Sequence, residues 1–192
     1  NSTSITFWAG CGAVRRDAFF SVGGFDELRF PQTSVEDIDF GYRLYLAGHT
    51  IQLDPEIQVQ HLKDWRFANL LMTEIFRRAI PWTVLMLRYR IFNRDLNLQS
   101  NNLISVFLLL SMIFMIFLIT VDARFGWLAL VNIAGLLYFN RDFYRFLYRR
   151  RGYCFVSRGV FFHWFSLLYS LLGLFLGVGL RFMQIMVGMV DR

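Results

Sequence analysis

The order of apolar and polar positions divides the chain near residue 102. Before that point, short apolar stretches alternate with glycines and polar turns, a pattern typical of a soluble α/β domain. The pattern predicts short helices at 15–22 and 34–47, with Gly48 at a favourable end position, and short strands at 5–9, 51–53 and 57–60.

A longer helical pattern follows from about residue 68 to residue 90. Arginines alternate there with leucine, isoleucine, tryptophan and methionine, and we expect Pro81 to kink the helix. This segment is typical of an amphipathic helix that lies at a membrane surface.

Three long apolar runs occupy the second half of the chain, at residues 103–121, 125–139 and 160–180. The first run has no charge over a length of roughly 28 Å as a helix, close to the ~30 Å hydrocarbon thickness of a bilayer. Helices that are apolar on every side need lipid or a large protein around them. The pattern therefore predicts about three transmembrane helices, with core helices of a soluble protein as the alternative.

The charge distribution supports a membrane rather than a nucleic-acid partner. The net charge is +6, and it comes from residues 103–192, where 9 basic residues face 3 acidic ones. Six arginines lie between the second and third apolar runs, and the positive-inside rule places that loop, and therefore residues 1–102, in the cytoplasm. The cluster at 149–151 is read either as this topology signal alone or as a site for anionic headgroups.

Composition excludes several other classes of protein. Hydrophobic residues make up 56% of the chain, which excludes a disordered protein or a disulfide-stapled mini-protein. We expect the two cysteines, Cys11 and Cys154, to be reduced. The absence of an initiating Met or signal pattern at Asn1 suggests a fragment that begins inside a domain.

Candidate chemistry concentrates at the start of the predicted helix 34–47. Glu36, Asp37 and Asp39 lie close together there, and Ser34 with Asp37 resembles a capping box. The acids either complement the helix dipole or provide a carboxylate that takes a proton from a hydroxyl group. His61 follows a predicted strand, where it is either structural or a ligand for a divalent metal.

The order of motifs in residues 5–66 resembles the second half of a family 2 glycosyltransferase. The matching segments are GCGAVRRDAFFSVGGFDE, VEDIDFGYRLYLAGHTIQLDP and VQH. The resemblance implies a partial GT-A (Rossmann-like) α/β domain over residues 1–66. An interfacial helix and linker over 67–102 and a transmembrane region over 103–192 would follow it.

The resemblance also implies an activity and a set of site residues. Asp37 would be the catalytic base of an inverting hexosyl transfer, Glu36 would help to hold the acceptor, and His61 would bind Mg²⁺ or Mn²⁺. The remaining candidate residues would contact substrate: Gly10, Cys11, Gly12, Arg77, Arg78 and Trp65. The two arginines would hold the leaving diphosphate or contact lipid headgroups, and Trp65 would line the acceptor site or anchor at the interface.

Two departures from the family pattern limit what this chain is expected to do alone. The metal-binding Asp-x-Asp pair and the nucleotide-binding half are expected before Asn1, so the fragment by itself is expected to be inactive. Gly10-Cys11-Gly12 also replaces the commoner Gly-Ala-Asn turn, which leaves the acceptor type open.

The sequence thus predicts a multi-pass glycosyltransferase, most simply of a bacterial inner membrane. A nucleotide sugar would be the donor and a lipid-linked or cell-envelope polysaccharide the acceptor. The alternative is a non-catalytic membrane scaffold or lipid-binding partner derived from a transferase.

Overall fold

The structure is a computed structural model that describes residues 2–60, 62, 64–92 and 100–188. These residues divide into two compact units, and each is described by itself. The first unit contains the described residues of Asn1–Ile91 and Gly173–Arg192, and the second those of Phe92–Leu172.

The first unit contains one small sheet and several short helices. Strand β1 (Ser2–Ser4) pairs antiparallel with β2 (Ile51–Leu53), with Ser2 opposite Leu53. The helices before the membrane-type segments are α1 (Arg16–Ser21), α2 (Glu36–Leu46), α3 (Phe67–Met72) and α4 (Ile80–Tyr89). The predicted helices at 15–22 and 34–47 and the strand at 51–53 are therefore confirmed, with shorter helix bounds.

The predicted fold class is wrong. A GT-A (Rossmann-like) domain needs a parallel sheet with helices on its faces, whereas the sheet in the described residues has two antiparallel strands of three residues each. The stretches 5–9 and 57–60, predicted as strands, form no ladder. A short apolar run becomes a strand only where another strand can take its backbone hydrogen bonds, and among the described residues β1 and β2 pair only with each other.

Helix α2 is the centre of the first unit because it buries apolar side chains on two sides. Val35, Ile38 and Tyr42 form one cluster with Leu85 of α4. Phe40 and Leu44 form a second cluster with Ala18 of α1. Full burial of such a side chain contributes roughly 1.5–3 kcal/mol, so these two clusters fix the position of α2 between α1 and α4.

A π-helical segment joins α3 to α4 and ends two residues before Pro81. It covers Thr73–Ala79, and the next amide, that of Ile80, donates to the Ile75 carbonyl, five residues back. Pro81 has no N–H with which to bond the carbonyl of Arg77. That carbonyl instead accepts a hydrogen bond from the Ser34 hydroxyl at 2.7 Å. The helical prediction for 68–90 is thus confirmed, with a change of helix type just before the proline.

The end of a long helix packs closely against α4 in the same unit. Helix α8 covers Tyr153–Met186. A Cβ atom at Gly173 would collide with Ala79, and one at Gly177 would lie 2.5 Å from Cβ of Thr83. Small residues four positions apart on both helices allow the two backbones to approach, as is common between membrane helices.

In its described residues the second unit consists of helices joined by short turns. Helices α5 (Ser100–Leu118) and α6 (Phe125–Phe139) form a hairpin. Leu109 and Met112 of α5 pack with Leu136 of α6 and Leu167 of α8. Helix α7 (Arg141–Arg151) follows, and Gly152, with a φ of 73°, separates α7 from α8. The arginine-rich stretch between the second and third apolar runs is therefore mostly helical.

Within the described ranges, two helices are long and apolar enough to cross a membrane: α5 and α8. Only 17% of the apolar window of each is buried within the protein, so most of their side chains are available to lipid. The predicted run 125–139 coincides with α6, which is shorter at 15 residues. The predicted run 160–180 lies inside α8, which extends beyond it at both ends.

Candidate active site

The three acids at the start of α2 have three different environments. Glu36 and Asp37 are half-buried, whereas the side chain of Asp39 is 1% exposed. The backbone N–H of Ser34 donates to Glu36 Oε2 at 2.5 Å. These neighbouring carboxylates are therefore not interchangeable, although the sequence presents them as one cluster.

Asp39 is held by a complete set of polar partners. Arg29 and Tyr89 donate to its Oδ1 at 3.2 and 2.8 Å, and Arg43 donates to Oδ2 at 2.8 Å. A buried carboxylate is tolerated where cations and hydrogen bonds compensate for its lost hydration. Since both oxygens are taken, Asp37-Ile38-Asp39 does not offer a free pair of carboxylates for a metal ion.

Arg43 connects this buried carboxylate to the loop that follows α1. Its Nη1 donates to the carbonyls of Val22 and Gly24, at 2.6 and 2.7 Å. Gly24 has a φ of 67°, a conformation that favours glycine. The Gly-Gly-Phe-Asp-Glu loop is thus fixed to α2, and Phe25 packs on Phe40 with ring centroids 4.9 Å apart.

Asp37 faces the glycine turn at the start of the chain. Its Oδ2 accepts a hydrogen bond from the Ala9 N–H at 3.2 Å, and its Oδ1 accepts one from the Ile38 N–H at 2.9 Å. Ala9 begins a short 3₁₀ turn over Ala9–Cys11. The structure therefore brings Asp37 to the turn that contains the predicted residues Gly10, Cys11 and Gly12.

The surroundings of Asp37 make its carboxylate a stronger base. Burial raises the pKa of the Asp37 carboxyl; the hydrogen bond from Ala9 opposes that rise, and the charge of Glu36 adds to it. A carboxylate with a raised pKa and partial exposure is suited to accept a proton from a hydroxyl group.

Gly41 allows the chain to cross α2 at this point. A Cβ atom there would collide with the backbone of Thr6 and Phe7, on the segment that leads to Ala9. No role was predicted for Gly41 from the sequence. A glycine inside an otherwise regular helix was the available signal, because glycine lowers helix stability by about 1 kcal/mol relative to alanine.

The expected capping box is absent. The residue that caps α2 is Val35, which makes no side-chain capping bond. The Ser34 hydroxyl donates to the Arg77 carbonyl instead, and Asp37 bonds Ala9 and Ile38. Both side chains thus have partners that the local sequence pattern does not reveal.

The remaining predicted site residues occupy several places. Arg77 and Arg78 are exposed in the π-helical segment, and Arg78 pairs with Glu74 at 2.8 Å. Trp65 is exposed. His61 lies outside the described residues. In the part of the chain that the structure describes, no group of three His, Cys, Asp or Glu side chains could hold a metal ion.

An open cleft of about 630 Å³ lies beside the glycine turn. Cys11 and Gly12 line it, together with Arg15 and His49, whereas Glu36 and Asp37 are not among its lining residues. His49 Nε2 is 3.0 Å from the Ser21 hydroxyl. The turn thus contacts both Asp37, through Ala9, and the cleft, through Cys11 and Gly12.

Comparisons with known proteins assign neither a family nor a function to the chain. No protein-family model matches it, and no match was found among the curated proteins or the solved structures.

Proposed function

We propose that the chain provides the acceptor side of a membrane-bound, inverting sugar transferase, with Asp37 as the general base. The sugar would come from a nucleotide sugar, and the acceptor would be a lipid-linked or polysaccharide hydroxyl. The proposal rests on the residues around Asp37 and on the motif order noted above, and it does not require a complete α/β domain in this chain.

The observation that carries the proposal is the contrast between Asp37 and Asp39. The three partners of Asp39 give it a structural role. Asp37 is partly exposed beside a glycine turn, and burial raises its pKa. An acid that only capped the helix would not need the contact with Ala9, a residue 28 positions away in sequence.

The proposed reaction is an in-line displacement at the anomeric carbon. The acceptor oxygen forms a bond to that carbon as the bond to the diphosphate oxygen breaks, and the acceptor proton moves to the Asp37 carboxylate. The nucleoside diphosphate leaves with the electron pair of the broken bond. One displacement inverts the configuration at carbon, and a positioned base contributes about 10²–10⁴-fold to such a step.

Other groups would act on the donor diphosphate. Mg²⁺ or Mn²⁺ would neutralise the leaving group when bound, with His61 as the ligand that the motif order suggests. The described acids do not form a metal site with three or more ligands, so the proposed step uses only the residues of this chain. The exposed guanidinium of Arg77 is a further candidate for the diphosphate.

We also propose a cytoplasmic location for the residues before α5 and for α7. Five arginines of α7 lie between the two apolar segments α6 and α8, which agrees with the positive-inside rule. Nucleotide sugars would then meet Asp37 on the side of the membrane where they are made.

The test is Asp37→Asn in the full-length protein in its native membrane. We expect the release of nucleoside diphosphate from nucleotide sugars, supplied with a membrane lipid extract, to fall at least ~10²-fold. The matched control is Asp17→Asn on α1, an exposed acid outside the site that should retain activity. Full turnover of the Asp37 variant would exclude the base role.

A second variant distinguishes catalysis from folding. Asp39→Asn should reduce both activity and stability, because it leaves Arg29 and Arg43 without their carboxylate. Asp37→Asn should reduce activity while the protein remains folded and membrane-inserted. If the intact protein turns over no nucleotide sugar at all, the scaffold alternative is favoured instead.

A further inference from the structure

A polar cavity of about 400 Å³ lies among the helices of the second unit. Its volume falls within the range of small-molecule sites. The polar lining residues come from the start of α5, the junction of α6 with α7, and the middle of α8: Asn101, Asn102, Asn140, Asp142, His163, Ser166 and Ser170. His163 and Ser170 lie within the apolar run of α8, where polar side chains point to a functional site.

The walls of this cavity are fixed by hydrogen bonds between helices. Asn140 donates to the Ser105 hydroxyl at 2.8 Å, which ties the end of α6 to α5. The Tyr144 hydroxyl lies 2.8 Å from His163 Nδ1 and accepts a bond from the Trp164 ring nitrogen, which ties α7 to α8. A cavity with such supports is already formed before a ligand enters, which lowers the cost of binding.

The lining chemistry indicates a neutral ligand that both donates and accepts hydrogen bonds. Amides and hydroxyls do both, and the carboxylate of Asp142 only accepts. Among the described residues neither arginine nor lysine lines the cavity, so its lining offers no cation for an anion such as phosphate. Asp142 itself pairs with Arg145 of α7, at 3.6 Å. Phe139 and Phe143 add an apolar surface. A polyol such as a sugar ring fits this combination, since it has hydroxyl edges and apolar faces.

The helix beside the cavity indicates that such a polyol is attached to a lipid. Asp142 and Phe143 of the lining belong to α7, which carries five arginines and the exposed aromatic residues Phe143, Phe146 and Tyr148. A basic amphipathic helix of this kind lies at the membrane interface, at the depth of lipid headgroups. A site at that depth meets headgroups at a far higher local concentration than dissolved sugars.

We propose that this cavity binds the neutral polyol headgroup of a membrane lipid. The inference depends on the second unit alone, so it holds whether or not Asp37 acts as a base.

The experiment uses the full chain in nanodiscs of phosphatidylcholine that contain a photoreactive hexosyl diacylglycerol. We expect crosslinks, mapped by peptide mass spectrometry, on α5, α7 and α8 around the cavity. Ser170→Leu, which fills the cavity, should reduce the crosslinking at least tenfold, and the smaller Ser170→Ala should reduce it less. Ser111→Leu on α5, outside the lining, is the matched control and should crosslink like the unchanged protein.

Three results would overturn the proposal. The first is undiminished crosslinking of a Ser170→Leu protein whose helical circular dichroism is native. The second is equal competition by diacylglycerol or phosphatidylglycerol, because the sugar would then not be recognised. The third is competition by free hexose at the same concentration as the lipid, because the ligand would then not be a lipid. A Ser170→Leu protein that fails to fold is replaced by Asn101→Leu, for which the same loss is expected.

Discussion

At the scale of single residues, Asp37 and Asp39 lie two positions apart on α2 but differ in their partners. Two arginines and a tyrosine hold Asp39, whereas Asp37 has only backbone donors. Helix periodicity predicts Arg43, four positions after Asp39, as a partner, whereas only the fold reveals Arg29 and Tyr89. The sequence identifies the acidic cluster, and tertiary contacts determine which acid remains available for chemistry.

The raised pKa of Asp37 predicts a pH-dependent effect of Asp37→Asn on stability. The folded protein holds the proton on this carboxyl more tightly than the unfolded chain does, so stability falls as pH rises from about 3.9 through the raised pKa. Asparagine does not titrate. The free energy of unfolding of the variant, relative to the unchanged protein, should therefore rise over this pH window and then level off.

This prediction is measured by urea unfolding in detergent, followed by tryptophan fluorescence at a series of pH values. Gln32→Asn exchanges no titrating group and should give a difference that does not change with pH. A relative stability of Asp37→Asn that falls as pH rises would contradict the raised pKa.

At the scale of elements, the periodic segments were predictable and the pairing of short strands was not. Helices α1 and α2 lie where the apolar pattern and the flanking glycines place them, and α6 coincides with its predicted apolar run. Strands at 5–9 and 57–60 were predicted from apolar runs, yet their backbones find no partner strand among the described residues. Residues 5–9 instead cross α2 over Gly41, a contact between distant positions that local propensity does not encode.

Helix α7 was missed for a different reason. Its many arginines suggested a loop between two membrane segments, and charge rather than periodicity decided that interpretation. Arginine is a good helix former, and aromatic residues at 143, 146 and 148 provide an apolar face. A highly charged segment beside a membrane is therefore as compatible with an interfacial helix as with a loop.

The close contact of α8 with α4 predicts opposite effects of two glycine substitutions. Gly177→Ala would place a methyl group against the Thr83 side chain and the Ile80 carbonyl and should cost about 1–3 kcal/mol. Gly179→Ala meets open space, so the higher helix propensity of alanine should stabilise the protein by up to ~1 kcal/mol. Thermal unfolding in detergent measures both, and an equal rise in Tm for the two variants would refute the contact.

At the scale of the whole molecule, the proposed topology can be tested with the two natural cysteines. Cys11 and Cys154 are both exposed and unbridged. If residues before α5 and the arginine-rich segment both face the cytoplasm, a membrane-impermeant maleimide should label both cysteines in inside-out vesicles and neither in right-side-out vesicles.

Cys11→Ser and Cys154→Ser separate the two signals, and labelling after detergent solubilisation shows that each thiol is reactive. Labelling of the two cysteines from opposite sides would contradict the topology. It would also imply an odd number of crossings between Asp37 and α7 instead of the proposed two, and the cytoplasmic assignment would then apply to one of them only.

The hydrogen bond from the Ser34 hydroxyl to the Arg77 carbonyl, which Pro81 cannot bond, has a consequence for protein engineering. Within residues 77–83, the Arg77 carbonyl bonds Ser34 and the Trp82 ring nitrogen bonds Tyr42. Thr83 packs against Gly177. One added or deleted residue there would rotate all later side chains by about 100° and uncouple these contacts. Epitope tags and reporter insertions therefore belong in the short turn after α5, at residues 122–124. An insertion in this turn does not rotate side chains within a helix.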